Sequence, residues 1–78
     1  MQTFQHTVAA RAGDGFNIYV TFADGTGGIF DFAPYMDYPC YEPLRNRTLF
    51  EKVAAAHGTL AWPGDIDISP EAVWAGTV

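Results

Sequence analysis

Among its 78 residues the chain has one cysteine and four basic residues, and no apolar run approaches the roughly 18 residues of a membrane-spanning helix. Each shortage excludes something. A single thiol, Cys40, cannot close an internal disulfide, so a reducing compartment is expected. Four Lys and Arg against nine Asp and Glu leave a net charge of −5, which opposes phosphate-backbone binding and favours basic partners. The opening "MQTFQHTVAA" has neither the basic start nor the apolar stretch of a secretory leader. These absences together predict a cytoplasmic protein with no direct nucleic-acid or membrane partner. Repeats, low-complexity tracts and linkers are absent as well.

Core-forming residues, by contrast, are plentiful: 49% of the chain is apolar and 15% aromatic, too much for a disordered segment. Seventy-eight residues are too few for two cores, so one domain over 1–78 is expected. From Phe16 to Phe22 the alternation is strict, with Phe16, Ile18, Val20 and Phe22 on one face and Asn17, Tyr19 and Thr21 on the other. Upstream, Phe4, His6, Val8 and Ala10 alternate with Gln5, Thr7, Ala9 and Arg11, and a Gly13-Asp14-Gly15 turn joins the two strands. The next turn admits two registers. A two-residue Asp24-Gly25 turn would set Phe30 and Phe32 on the Tyr19 face, away from Phe16 and Ile18. A three-residue loop, Ala23-Asp24-Gly25, with Gly25 left-handed, instead pairs Ile18 with Phe30 and Phe16 with Phe32, gathering the phenylalanines on one face. The second register is expected.

Pro34, Pro39 and Pro43 exclude a regular helix or central strand between the third strand and Leu44, which leaves a loop rich in tyrosine. Asn46 suits the N-cap of a short helix from Arg47 to about Val53, with Leu49, Phe50 and Val53 on one face. The stretch "VAAAHGTLAWP" is compatible with two short strands folding back at His57-Gly58, or with a helix running on to Ala56. Ser69 and Pro70 open a last helical turn or two that presents Val73 and Trp74 and ends at Gly76. The fold class is therefore α+β: an antiparallel three-stranded meander, a short helix on one face, a second short hairpin or strand, and a C-terminal helical turn. Its expected core comprises Phe16, Ile18, Val20, Phe30, Phe32, Leu49, Phe50, Val53, Leu60 and Trp62.

Chemistry-bearing residues are sparse. A nucleophile needs an oriented base, yet Cys40, His6 and His57 fall on a proline loop, a strand and a turn with no motif joining them. Cys40 has no cation among its sequence neighbours to stabilise a thiolate. Asp65 and Asp67 after Trp62-Pro63-Gly64 invite a metal or small-ligand reading, but the remainder of a calcium loop is missing, and a solvated turn before the Ser69 helix start is the expectation. The "GDG" and "GTGG" stretches lack the strand-to-helix context of a phosphate loop. Arg45 and Arg47, the only close basic pair, are expected to solvate a helix start. No catalytic residue, metal ligand or cofactor is assigned, and the protein is not expected to be an enzyme.

The succession "VTFADG", "FDFAPYM", "YEPLRNRTLFEKV" and "GTLAWPGDIDISPEAVW" resembles the bacterial domain-of-unknown-function family numbered 2442 over almost the whole chain. Its most specific pieces are Thr59-Leu60-Ala61-Trp62-Pro63 with Asp65, Phe30-Asp31 with Pro34, and Pro43-Leu44-Arg45. The chain departs from the family's pattern at Gly27-Gly28, where an apolar and a charged residue are usual, and at Asn46-Arg47, where Asp-Pro is usual. The resemblance implies an α+β fold with no established enzymatic residues. It also implies a small product often encoded beside another short protein, of the family numbered 4160, an arrangement from which an antitoxin-like role has been proposed for members of family 2442. The helix-turn-helix domain of some longer members is not expected before Val78.

The function expected is thus a small protein-interaction module, of the antitoxin-like type in a two-gene toxin–antitoxin pair. Its partner would be a small basic protein from an adjacent gene, or a second copy of itself. The alternative is a small-ligand or metal-binding domain using the Trp62–Asp67 segment. Tyr19, Ile29, Tyr35, Tyr38 and Tyr41, left outside the main core by the register and the proline loop, are the expected partner-binding residues. A competing expectation has the tyrosine loop fold over the second sheet face.

Overall fold

The computed structural model describes residues 5–78; Phe4, expected on the first strand, lies outside them. The α+β class is as read from the sequence. Strands β1 (Thr7–Ala12), β2 (Asn17–Phe22) and β3 (Gly27–Asp31) form an antiparallel meander in sequence order. Two 3-10 segments follow, Ala33–Tyr35 and Pro39–Arg45, then helix α1 (Arg47–Phe50). Strands β4 (Ala54–Ala56), β5 (Thr59–Trp62) and β6 (Ile66–Asp67) make a second small antiparallel sheet, and helix α2 (Pro70–Gly76) comes last. No helix of the described residues is long and apolar enough to cross a membrane.

The β2–β3 hairpin takes the three-residue loop. Ile18 stands opposite Phe30, Gly25 has φ +89°, and the Phe22 N–H donates to the Thr26 carbonyl at 2.7 Å. Asp24 closes the loop by accepting from the Thr26 hydroxyl at 2.6 Å and its N–H at 3.0 Å, bonds that hold its carboxyl below the usual carboxylate range. Glycine is needed at 25 because a side chain there would have to adopt a left-handed backbone. Both glycines at the departure from the family pattern lie in β3. A Cβ on Gly28 would collide with the Val78 carbonyl, which crosses the strand there. Val78 exchanges both backbone bonds with Ile29, at 2.8 and 3.0 Å, so the end of the chain lies along the β3 edge.

Strand β1 departs from the expected alternation. Thr7 pairs with Phe22 but Ala9 with Thr21, so Val8 is one residue too many: a bulge. The extra residue changes the phase of the strand. Thr7 is therefore buried at 4% exposure and Val8 points out at 57%, the reverse of the Phe4/His6/Val8/Ala10 face. Downstream, Ala10 and Ala12 pack against the core.

Asn46 caps α1 by accepting from the N–H groups of Thr48 (3.0 Å) and Leu49 (3.4 Å). The helix stops at Phe50, not Val53, because the chain turns there into β4. The strand reading of Val53–Ala56 holds over the helical one: His57 and Gly58 both have positive φ, +53° and +79°, the pattern of a two-residue hairpin turn. Strand β6 was not anticipated. It returns through the Pro63-Gly64-Asp65 loop, where Gly64 and Asp65 again have positive φ. Ser69 caps α2 at Ala72, and Val73 is fully buried.

Arg47 does more than solvate a helix start. Its guanidinium donates to the carbonyls of Gly13 and Gly15, pairs with Glu51 at 2.7 Å and lies over the Phe50 ring at 5.2 Å, tying the β1–β2 turn to α1.

The core gathers between the inner face of the first sheet, the second sheet and the two helices. Phe32 is its meeting point, with ring centroids of Tyr41 at 4.9 Å, Trp62 at 5.1 Å, Tyr35 at 5.4 Å, Phe50 at 6.2 Å and Phe30 at 6.3 Å. Of the expected core, Phe16 and Leu49 are half-buried and the rest fully so; Phe22, Met36, Tyr41, Leu44, Ile68 and Val73 join them.

Two predictions test this packing. Phe32→Ala should lower stability by about 3–5 kcal/mol in denaturant unfolding, whereas Val8→Ala, on the outside of the bulge, should change it by less than about 0.5 kcal/mol. Gly25→Val should cost about 1 kcal/mol or more in the same measurement; an unchanged midpoint would mean that the loop does not need a left-handed residue.

Candidate functional site

The five residues expected to bind a partner do not form one patch. Tyr19 and Ile29 are cross-strand neighbours on the outer face of the first sheet, 41% and 38% exposed. Arg11 covers the Tyr19 ring at 4.8 Å, and the ring rests on Gly13, where a Cβ would lie 2.6 Å from Cε2. The tyrosine loop lies on the other side. Tyr35 stacks on Phe32 and packs 5.8 Å from Phe30, both inward-facing, so the loop covers the inner face and not the outer one.

Within the loop the three tyrosines are in mutual contact, with centroids 5.9–6.4 Å apart, but their roles differ. Tyr41 is a core residue, contrary to its expected place at the surface: it is 8% exposed, and its hydroxyl donates to the Asp67 carbonyl at 2.9 Å. That bond joins the loop to β6, a strand that was not foreseen, which is why no local pattern marked Tyr41 as buried. Burial, with the negative charge of Asp67 nearby, pushes its hydroxyl above the ordinary phenol range. Tyr35 is half-buried, and Tyr38, at 55% exposure, is the tyrosine of the loop open to solvent.

Beside Tyr41 a surface groove of about 490 Å³ runs between Cys40, Tyr41 and Pro43 on one side and Asp65, Ile66 and Asp67 on the other. Both aspartates are exposed, as is Cys40. Three of the four basic residues are engaged elsewhere. Arg45 donates to Glu42 at 3.0 Å and to the Met36 carbonyl at 3.2 Å, Arg47 holds the β1–β2 turn, and Arg11 lies on Tyr19. Among the described residues, Asp14, Asp65, Asp67 and Glu71 form no ion pair. The surface is therefore acidic with little internal compensation.

The residues weighed for chemistry are divided. His6 and the His57-Gly58 turn come together, since a Cβ on Gly58 would lie 2.5 Å from His6 Nδ1, and they share a shallow recess with Thr7 and Val8. Sequence spacing carried no sign of that meeting, which the joining of the two sheets brings about. The Cys40 groove contains neither histidine, so the thiol is not placed beside a base. Trp62, named in the alternative ligand-binding reading, is 4% exposed and its Nε1–H donates to the Phe50 carbonyl at 3.0 Å, so it packs the core. Among the described residues no three of His, Cys, Asp and Glu assemble into a metal-binding group.

Replacing Tyr41 by Phe should remove the bond to Asp67 and cost about 1 kcal/mol at neutral pH. Because the folded-state hydroxyl titrates above its unfolded value, its contribution is present below about pH 10 and fades as pH rises further. The stability difference between wild type and Tyr41→Phe, followed by urea unfolding across pH 8–11 (roughly two units below and one above that value), should shrink at the alkaline end.

No curated protein and no solved structure matches the chain. A family model does, over residues 7–78: Protein of unknown function (DUF2442). That match takes in all eight strands and helices described above, and with it the resemblance first seen in the Thr59–Asp65 and Phe30–Pro34 stretches becomes membership: the chain belongs to the DUF2442 family.

Proposed function

We propose that this protein is an interaction module that binds a small basic protein, the antitoxin-like member of a two-gene pair, acting by contact and not by catalysis in the cytoplasm. The observation that carries the reading is the commitment of Arg11, Arg45 and Arg47 to contacts within the chain. The net charge of −5 then falls on an outer surface where Asp14, Asp65, Asp67 and Glu71 form no ion pair among the described residues, and Tyr38 adds an exposed aromatic ring. Aromatic anchors with a charged rim are typical of protein interfaces, and an acidic field speeds the approach of a basic partner. Tyr35 and Tyr41 support Tyr38 from behind, so the anchor is pre-organised at low entropic cost.

Tyr19 and Ile29 lie on the opposite face and belong to a separate surface, on which a second copy of the chain is the alternative occupant. Co-expression with the product of the neighbouring gene, followed by co-purification and light scattering, tests the reading. The complex should form with wild type, weaken by about tenfold or more with Tyr38→Ala, and persist when Tyr19, His6 or His57 is replaced. A monomer that ignores its neighbour's product would overturn the proposal.

A further inference from the structure

We infer that the groove between the tyrosine loop and the β5–β6 hairpin receives an arginine side chain carried on an extended basic segment of the partner, an assignment that rests on the interaction reading above. Three features of the groove agree on that occupant. Its volume of about 490 Å³ falls within the ~300–1,000 Å³ range of pockets that enclose a ligand group, enough for one long side chain and the backbone beside it. Its walls are of two kinds: the exposed Asp65 and Asp67 line the hairpin side, while Tyr41 and Pro43 on the loop side, with half-buried Ile66 beside the aspartates, add apolar surface. A guanidinium on an aliphatic stem matches both, since the stem lies along apolar surface while the planar fork pairs with carboxylates.

The third feature is the missing internal cation. Arg45, on the same 3-10 segment as Tyr41, turns away to Glu42 and the Met36 carbonyl, so neither aspartate of the groove has an ion pair among the described residues. Tyr41 is itself fixed, because its hydroxyl is bonded to the Asp67 carbonyl and its ring to Phe32. A guest therefore meets a wall already in place. Lysine fits less well, as its compact ammonium lacks the planar fork that grips a carboxylate through two bonds at once.

The test uses the whole chain, isotope-labelled, titrated with a capped glycine-rich heptapeptide bearing one central arginine, and with the same peptide bearing glutamine. Amide shifts should concentrate at Cys40, Tyr41 and Glu42 and at Gly64–Asp67 with the arginine peptide and be absent with the glutamine peptide. The Asp65→Asn, Asp67→Asn double variant should bind about tenfold more weakly. It should still fold, since asparagine tolerates the left-handed backbone of position 65 (φ +62°) and the bond from Tyr41 goes to the backbone of position 67. Shifts spread evenly over remote carboxylates such as Asp14 and Glu71, or equal affinity for the double variant, would overturn the assignment. The same double variant separates the two levels of the argument in co-purification. If it holds the neighbouring gene's product as tightly as wild type does, the groove is not the docking point although the interaction reading survives. If no partner is captured yet the arginine peptide still seats in the groove, the interaction reading falls, and with it the partner as the source of the arginine, while the groove's preference for a guanidinium stands.

Discussion

The structure turns on one ring. Phe32, the residue after β3, is completely buried and meets aromatic side chains from β3 itself, the tyrosine loop, α1 and β5. A chain of this size has little surplus stability, and a small sheet holds only where it has an apolar face to bury. The two sheets hold because each contributes large apolar surfaces to the same cluster. Trp62 reinforces it by donating from its indole to the Phe50 carbonyl, so the last residue of α1 and the last of β5 are joined by a bond as well as by packing. The hairpin register upstream determines whether Phe32 reaches that place at all: a shift of one residue would point it outward.

Around that cluster, backbone geometry is arranged by a few unusual positions. Gly25 permits the register, and His57-Gly58 and Gly64-Asp65 reverse the second sheet twice within a dozen residues. The bulge at Val8 turns Thr7 inward next to the point where β1 meets the second sheet, the Thr7 N–H donating to the Gly58 carbonyl at 3.0 Å. Arg47 performs the corresponding task at the other end of β1, holding the Gly13 and Gly15 carbonyls. These contacts are polar and directional, and they orient what the apolar cluster holds together non-specifically.

The same economy shapes the surface. With only four basic residues, three are drawn into contacts with the protein's own carbonyls, carboxylates and rings. What is left outside is acidic, and its exposed aromatics are divided between the outer sheet face and the tyrosine loop. This separation follows from the loop crossing the inner face, where Tyr35 and Tyr41 satisfy the packing of Phe32 and only Tyr38 remains open.

Local patterns in the sequence were enough for the meander, the β2–β3 register, both helix caps and most of the core, because each rests on neighbours within a few residues: alternation on β2, a glycine at the third loop position, an asparagine or serine before a helix. Family membership was legible for the same reason, in short motifs such as Thr59–Asp65. Tertiary structure alone decided the rest. A bulge depends on what the strand must meet at both ends, so nothing in "HTVAA" distinguishes Thr7-in from Val8-in. Tyr41 is buried by a bond to β6, 26 residues away, and His6 meets Gly58 across more than half the chain. Composition alone determined that the protein would be acidic. Which carboxylates remain unpaired, and that two of them line a groove, was decided by where three arginines found their partners in the folded chain.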